Sequence, residues 1–188
     1  MNKVYNYPYM HAYPPIVYVP VVNDHRHPTY WTIPSEVEHV NQFGYLRANN
    51  PSHLNLKDYG TNPYVVNIEE ATIQNNTFRT ALWTGDDLQV TLMSIDVGDS
   101  IGLEIHPQVD QFLRIEQGEG IVRMGDRKEN LPFEQRVLDN DAIMVPKGTW
   151  HNVINTGNTP LKLYSIYAPP EHPFGTVHQT KADAMAEE

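Results

Sequence analysis

From about residue 79 to about residue 170 the chain is a succession of short runs, each apolar or alternating between apolar and polar: TALWTG, LQVTLMSID, IGLEIHP, QFLRIEQG, GIVRMGD, QRVLDN, DAIMVP, HNVINT and LKLYSIYAP. Gly, Asn, Asp and Pro separate them at intervals of roughly ten residues, which leaves room for a strand and a tight turn but not for a helix of ordinary length. Alternation sends successive side chains to opposite faces, so each run can offer one face to a core. No segment of helical period interrupts the series. The spacing predicts an all-β fold, a compact antiparallel β-barrel or jelly roll over residues 79–170.

The chain before this series has a different character. Residues 1–34 carry six of the eleven tyrosines and six of the fifteen prolines. Prolines at 8, 14, 15, 20, 28 and 34 forbid a helix and favour extended or polyproline-like chain. An N-terminal extended arm is expected, draped over the body or a neighbouring subunit, with an adhesive or cross-linkable tail as the alternative. Its His25 and His27 are weak metal candidates. Residues 35–78 are polar and rich in turn chemistry, with Asn-Asn-Pro at 49–51 and Tyr-Gly-Thr-Asn-Pro at 59–63. This part is expected to be helical and irregular and to pack on the barrel. One short helix is predicted around Ser35–Asn41, with Ser35 as N-cap and Glu38 completing a capping box, and a second over Ile68–Asn75. Residues 171–188 form a C-terminal tail.

Charge narrows the partners. The net charge is −10, from 13 basic and 23 acidic residues. Residues 1–34 contain only Lys3, Arg26 and Asp24, so the remainder holds 11 basic and 22 acidic residues, a net of −11. Such a body repels nucleic acid and anionic membrane, and no basic patch interrupts it. No apolar run approaches a membrane span, and the first residues lack a signal-peptide layout. The absence of cysteine excludes disulfides, thiolate metal sites and cysteine nucleophiles. A soluble, cytoplasmic protein with a small-molecule partner is expected, with spore or coat association left open.

Two stretches carry chemistry. In IGLEIHPQVDQFLRIEQGEG, Glu104 and His106 are two apart and so share a face if the run is a strand, while Gln111, Leu113 and Ile115 share a face in the next run. If that face is the barrel interior, Gln111 is a buried amide in need of a partner. In NDAIMVPKGTWHNVIN, the turn Pro146-Lys147-Gly148 leads into a strand on which His151, Val153 and Asn155 share a face.

These stretches resemble the paired motifs of the cupin superfamily. The first family motif reads Gly, five residues, His-x-His, three or four residues, Glu, six residues, Gly; here Gly98, Glu104-Ile105-His106, Gln111 and Gly118 stand at those spacings. The second reads Gly, five residues, Pro-x-Gly, two residues, His, three residues, Asn; here it is Asn140, Pro146-Lys147-Gly148, His151 and Asn155. The segment LYSIYAPPEHPFGTVH also looks like small single-domain bacterial cupins of the conserved-barrel, mannose-6-phosphate-isomerase-like type. The resemblance spans about residues 80–170 and implies four metal ligands: Glu104, His106, Gln111 and His151. It departs from the family at three places. Asn140 replaces a turn Gly, Glu104 stands where the first His is usual, and Gln111 stands where Glu is usual. Either the site no longer holds metal, as in cupin epimerases and seed-storage relatives, or its ligands are rearranged. Charge favours the second, because a divalent ion with two His, one Glu and one neutral Gln carries the same net charge as one with three His and one Glu. The implied cofactor is a divalent transition metal, Fe, Mn, Ni or Zn; without sulfur ligands Cu(I) is disfavoured.

Other residues receive simpler expectations. Tyr164 and Tyr167 lie on opposite faces of one strand, so at most one enters the barrel, and Tyr167 is the candidate substrate contact. Arg114 and Arg123 are assigned to the surface or a dimer interface, and His172 and His178 to the surface. Asp110 either orients a ligand or caps its turn. No inward Lys/Arg cluster is apparent, which disfavours a phosphorylated substrate. The implied functions are a metal-assisted isomerase or lyase acting on a sugar-like substrate or a hydroxy or keto acid, a non-haem Fe(II) dioxygenase, or a non-catalytic coat or small-molecule-binding protein. A homodimer is expected from the sheet edges that cupin barrels expose.

Overall fold

The computed structural model describes residues 53–187; the expected arm, the helix around Ser35–Asn41 and the histidines at 25 and 27 lie outside the described residues. In chain order the elements are α1 (Ile68–Gln74), β1 (Arg79–Thr84), β2 (Gln89–Ile95), β3 (Asp110–Gln117), β4 (Glu119–Gly125), β5 (Phe133–Leu138), β6 (Ala142–Val145), β7 (Trp150–Asn155), β8 (Leu161–Ala168), β9 (Val177–His178) and α2 (Lys181–Glu187). They form a six-stranded sheet ordered β6-β3-β8-β2-β1-β9 and a three-stranded sheet ordered β5-β4-β7. All ladders are antiparallel, as the all-β jelly-roll expectation requires.

One core joins the two sheets. Met93, Leu113, Ile115 and Leu163 of the larger sheet meet Val122, Val137 and Val153 of the smaller, all buried. The larger sheet is covered on its outer face as well. There Leu82 and Leu92 pack with Ala71 of α1, with Tyr164, and with Leu54, Leu56, Tyr59 and Tyr64 of the segment before α1. Two covered faces explain why β1 and β8 read as nearly continuous buried runs rather than clean alternation.

Helix α1 is docked at both ends. Asn67 is its N-cap, with Oδ1 accepting from Glu70 N at 3.3 Å. At the other end the Lys162 ammonium, reaching across from β8, donates to Ile73 O and Asn75 O at 2.7 Å each and to Asn76 Oδ1 at 2.9 Å. Ile73 O is one of the last-turn carbonyls a helix leaves without intrahelical partners, and Asn75 is the C-cap.

The run IGLEIHP departs from its expected form. It is not a strand: it meets the smaller sheet through the isolated bridge of Glu104 to His151, and a second such bridge, Ser100 to Ile154, lies just before it. Gly102, at φ +103°, turns the backbone out of extended geometry midway, and Pro107 ends the run. The turn positions of both motifs adopt left-handed backbone, with φ of +79° at Gly98, +94° at Gly118, +71° at Asn140 and +76° at Gly148. Asn tolerates that region better than most residues, which is why it can stand for glycine at 140.

After β8 the chain folds back. β9 adds to the edge of β1, pairing His178 with Arg79. Ala184 of α2 is buried in the main core, and Lys181 Nζ donates to Asp99 Oδ1 at 2.6 Å and Ser100 Oγ at 3.0 Å.

Candidate metal centre

The Glu104–His151 bridge sets the site's geometry. Glu104 N donates to His151 O, and His151 N to Glu104 O, each at 3.0 Å. With the backbones locked, Glu104 Oε1 stands 3.2 Å from His151 Nε2 and 3.4 Å from His106 Nε2. One donor atom from each of the three residues lies within 4.8 Å of the others. His151 is fully buried, and its Nδ1 lies 3.0 Å from Thr149 O. A carbonyl only accepts, so Nδ1 carries a proton, and Nε2 is the ring nitrogen that faces the site. His106 Nδ1 lies 3.1 Å from Glu171 Oε1, close enough for charge attraction though not aligned as a hydrogen bond.

Gln111 sits on the inner face of β3, opposite Tyr167 of β8. Its Nε2 donates to Ser165 Oγ at 3.0 Å, which orients the amide, and its buried Oε1 has no partner among the described residues. The Tyr167 ring stands edge-on to His106 and His172, with centroids 5.5 and 5.2 Å apart, and its hydroxyl is likewise buried without a partner. Burial pushes that hydroxyl up to about 12, so it remains a proton donor. Tyr164 faces outward, as alternation requires.

The carboxyl of Glu104 is under opposing influences. Burial pushes it up, but hydrogen bonds and charge attraction from His106 and His151 hold it down at about 2. Burial pulls the His106 imidazolium down, and Glu104 and Glu171 together raise it above the ordinary value. The three clustered donors, two imidazole nitrogens and an ionised carboxylate, fit a divalent transition metal, while Gln111 is not part of that cluster.

The site opens into a cavity of about 490 Å³ lined by Arg79, Glu104, His106, Trp150, Glu171 and His172, among others. His172 and His178 depart from the surface placement expected for them. Gln89 draws the exit segment inward, its Nε2 donating to His172 O at 2.8 Å and its Oε1 accepting from His172 N at 2.9 Å. Burial, reinforced by Arg79, pulls the His172 imidazole down to about 3, so it is neutral. His178 is buried through its pairing with β1, and its Nε2 lies 2.8 Å from Glu187 Oε2.

Arg79 is the residue that sequence reasoning missed. It is 1% exposed, lies outside both motifs, and places NH2 3.9 Å from Glu104 Oε2. An inward cation is therefore present. The arginines at 114 and 123 do turn outward, donating to Asn140 Oδ1 at 2.8 Å and Glu134 Oε2 at 2.7 Å. Asp110 caps the Pro146–Gly148 turn rather than its own: Oδ1 accepts from Lys147 N at 2.9 Å, tying β3 to that turn.

Among the described residues, no helix is long and apolar enough to cross a membrane. Comparison with known proteins agrees with the geometry. The family model described as "Cupin domain" matches residues 91–167. The protein YrkC of Bacillus subtilis (strain 168) is 67% identical over 173 residues, covering 92% of each chain. Protein L612 of Acanthamoeba polyphaga mimivirus is 41% identical over 115 residues, 61% of this chain and 70% of that one. The crystal structure of BH2720 from Bacillus halodurans superposes with a TM-score of 0.69 at 67% identity, covering 70% of this chain and 99% of that one. With its jelly-roll sheets, its left-handed motif turns and these relatives, the chain belongs to the cupin family.

Proposed function

We propose that this cupin is a metal-dependent enzyme that acts on a small polar substrate, sugar-like or a hydroxy or keto acid, by isomerisation or lyase chemistry. The observation that carries the reading is the convergence of donor atoms from Glu104, His106 and the buried His151, the first two of which line a cavity of about 490 Å³. A divalent ion held by these three residues and Gln111 would supply Lewis acidity toward a substrate carbonyl or hydroxyl. The chain's own groups would do the rest. Tyr167, protonated and unpartnered beside His106, would donate to a substrate oxygen. His172, neutral and with Nε2 unpartnered, would hold a polar group of the substrate within the cavity. Cytoplasmic location and a homodimer belong to the same reading. The dimer draws support from edge strand β6, whose Met144 is 63% exposed, and light scattering on the purified chain would test it.

The deciding experiment is metal analysis of the untagged full chain by plasma mass spectrometry, beside a Glu104→Ala/His106→Ala control. Near-stoichiometric Fe, Mn, Ni or Zn that is absent from the control is expected. No metal after reconstitution would overturn the enzyme reading and favour a metal-free binding or coat role. A second reading, a non-haem Fe(II) dioxygenase, draws on the two-His, one-carboxylate composition of the cluster. Oxygen uptake by the Fe²⁺-loaded protein across diols, catechols and keto acids would select it, and no uptake would remove it.

A further inference from the structure

We propose that Arg79 is the recognition group for a carboxylate on the substrate, so that the cavity takes a 2-hydroxy or 2-oxo acid rather than a neutral sugar. The inference rests on the cavity being the substrate site, and goes beyond that reading by naming what fills it.

The guanidinium is placed by the sheet. Arg79 opens β1, between Met93 of β2 and His178 of β9, and from there its side chain enters the cavity almost without solvent exposure. A guanidinium presents five N–H donors in a fixed planar fork. Here Nε and NH2 are buried and hydrogen-bond to nothing among the described residues. The ion pair with Glu104, at 3.9 Å, is beyond hydrogen-bond reach. Buried donors in a folded protein are almost always satisfied, so donors left this way point to a hydrogen-bond acceptor the chain does not supply.

The cavity's own carboxylates do not fill that role. Glu104 Oε1 lies between two imidazoles, at 3.2 and 3.4 Å. Glu171 lies 3.1 Å from His106 Nδ1, and Glu187 is 2.8 Å from His178 Nε2. The only other cation on the lining, Lys128, has its ammonium over the Trp150 ring, 5.6 Å from the centroid. What remains open is one planar fork, which a carboxylate matches with two parallel hydrogen bonds. A phosphate dianion is a poorer match, because one arginine faces three carboxylates across the cavity. Position fixes the rest. The fork stands 3.9 Å from the Glu104 carboxylate, so a ligand carboxylate seated on it lies beside the metal donor set. The reactive oxygen of the substrate therefore belongs on the carbon next to the carboxylate, which defines a 2-hydroxy or 2-oxo acid.

Isothermal titration calorimetry on the full chain, metal-loaded and chelator-treated, tests this with D- and L-lactate, propane-1,2-diol and inorganic phosphate. The better lactate enantiomer is expected to bind at least about tenfold tighter than the diol, the span a charge-assisted pair confers, with phosphate weaker than lactate. Arg79→Gln should bring lactate down to the level of the diol and leave the diol unchanged, and Arg79→Lys should fall between. Equal affinity for lactate and diol in the wild type, binding of neither, tighter binding of phosphate, or full discrimination in folded Arg79→Gln would each overturn the proposal. Near-ultraviolet circular dichroism reports whether Arg79→Gln is folded. If it is not, Arg79→Lys decides alone, since it keeps the charge and loses the fork, and undiminished preference there overturns the assignment. Arg79-dependent lactate binding in protein that takes up no metal would sustain this inference while the enzyme reading fails. A loaded metal site without carboxylate preference would do the reverse.

Discussion

Glu104→Gln keeps the shape of the side chain and removes one charge, and its effect on the metal-free protein follows from three independent estimates. The Arg79 NH2 to Glu104 Oε2 separation of 3.9 Å corresponds to about 4 kcal/mol of attraction at an effective dielectric of about 20. The carboxyl, displaced from 4.5 to about 2, represents about 3 kcal/mol through linkage. Removing one partner of a buried pair typically costs about 3–5 kcal/mol, because the other charge is left behind. Glu104→Gln is therefore expected to lose about 3–4 kcal/mol near pH 5.5.

The pH dependence of that loss has a definite sign. The Glu104 carboxyl is depressed in the fold, so its contribution is present above the unfolded value of 4.5 and lost as pH falls through about 2. His106 is raised, so its share of the same interaction is full below the unfolded value of 6.5 and lost as pH climbs through the raised one. The gap between wild type and variant is thus widest between these two unfolded values, closing on the acid side and narrowing on the alkaline side, where the attraction of Arg79 for Glu104 persists. Urea denaturation of chelator-treated proteins, followed by tryptophan fluorescence from about pH 3 to about pH 8, measures it. A gap below about 1 kcal/mol at pH 5.5, or one that is flat across the range, would refute the electrostatic account of this cluster.

Three further outcomes are expected. Lys162→Met removes three hydrogen bonds of 2.7, 2.7 and 2.9 Å from a buried ammonium. It should cost about 2–3 kcal/mol and roughly 5–10 °C in thermal midpoint, with metal content unchanged; calorimetry checks the first and metal analysis the second. Gly120→Ala would set its Cβ 2.5 Å from Ile154 O on the neighbouring strand, whereas Gly148→Ala meets nothing within 4 Å and is strained only by φ of +76°. The former should lose about 3 kcal/mol and the latter about 1 kcal/mol, in that order, by urea titration. Glu104→His/Gln111→Glu keeps the formal charge of the donor set, so it should retain metal by mass spectrometry, while Glu104→His alone should lose affinity roughly 100-fold or more by metal titration.

What was legible in the sequence was what has a local signature. Alternation in QFLRIEQ put Gln111, Leu113 and Ile115 on one face, and all three are buried. Alternation in HNVIN did the same for His151, Val153 and Asn155. The motif spacings brought Glu104, His106 and His151 into one cluster although Glu104 and His151 are 47 residues apart. The same periodicity overreached at IGLEIHP, because counting alternate residues cannot register that Gly102 leaves extended geometry. It was silent at Arg79 for a different reason. β1 is covered on both sides, Leu82 packing in the α1 cluster and Arg79 lining the cavity, so its residues are buried without regard to parity, and period 2 carries no direction. His172 and His178 were misplaced because the fold-back depends on the bonds from Gln89 and on the pairing of β9 with β1, both contacts of long sequence separation.

Arg79 also gives a physical reason for the carboxylate to stand at 104 rather than at 111. Imidazoles at 104, 106 and 151 would surround a buried guanidinium with neutral or positive groups, and a carboxylate on β3 would serve the donor set from the position of Gln111. With Glu at 104, one carboxylate lies within 3.4 Å of both imidazoles and 3.9 Å from Arg79, so a single negative charge balances the cluster and the cation together. In the proposed four-ligand set the oxygen at 111 then needs only to be a neutral donor, and the bond from its amide to Ser165 Oγ would orient it as one. Arg79 and the exchange of ligand types are on this account one change. The double variant that restores imidazole at 104 and carboxylate at 111 should therefore keep its metal yet be less stable than the wild type when stripped of it. Replacing Arg79 by a neutral residue in that background should recover part of the difference, an outcome that no independent role for Arg79 would produce.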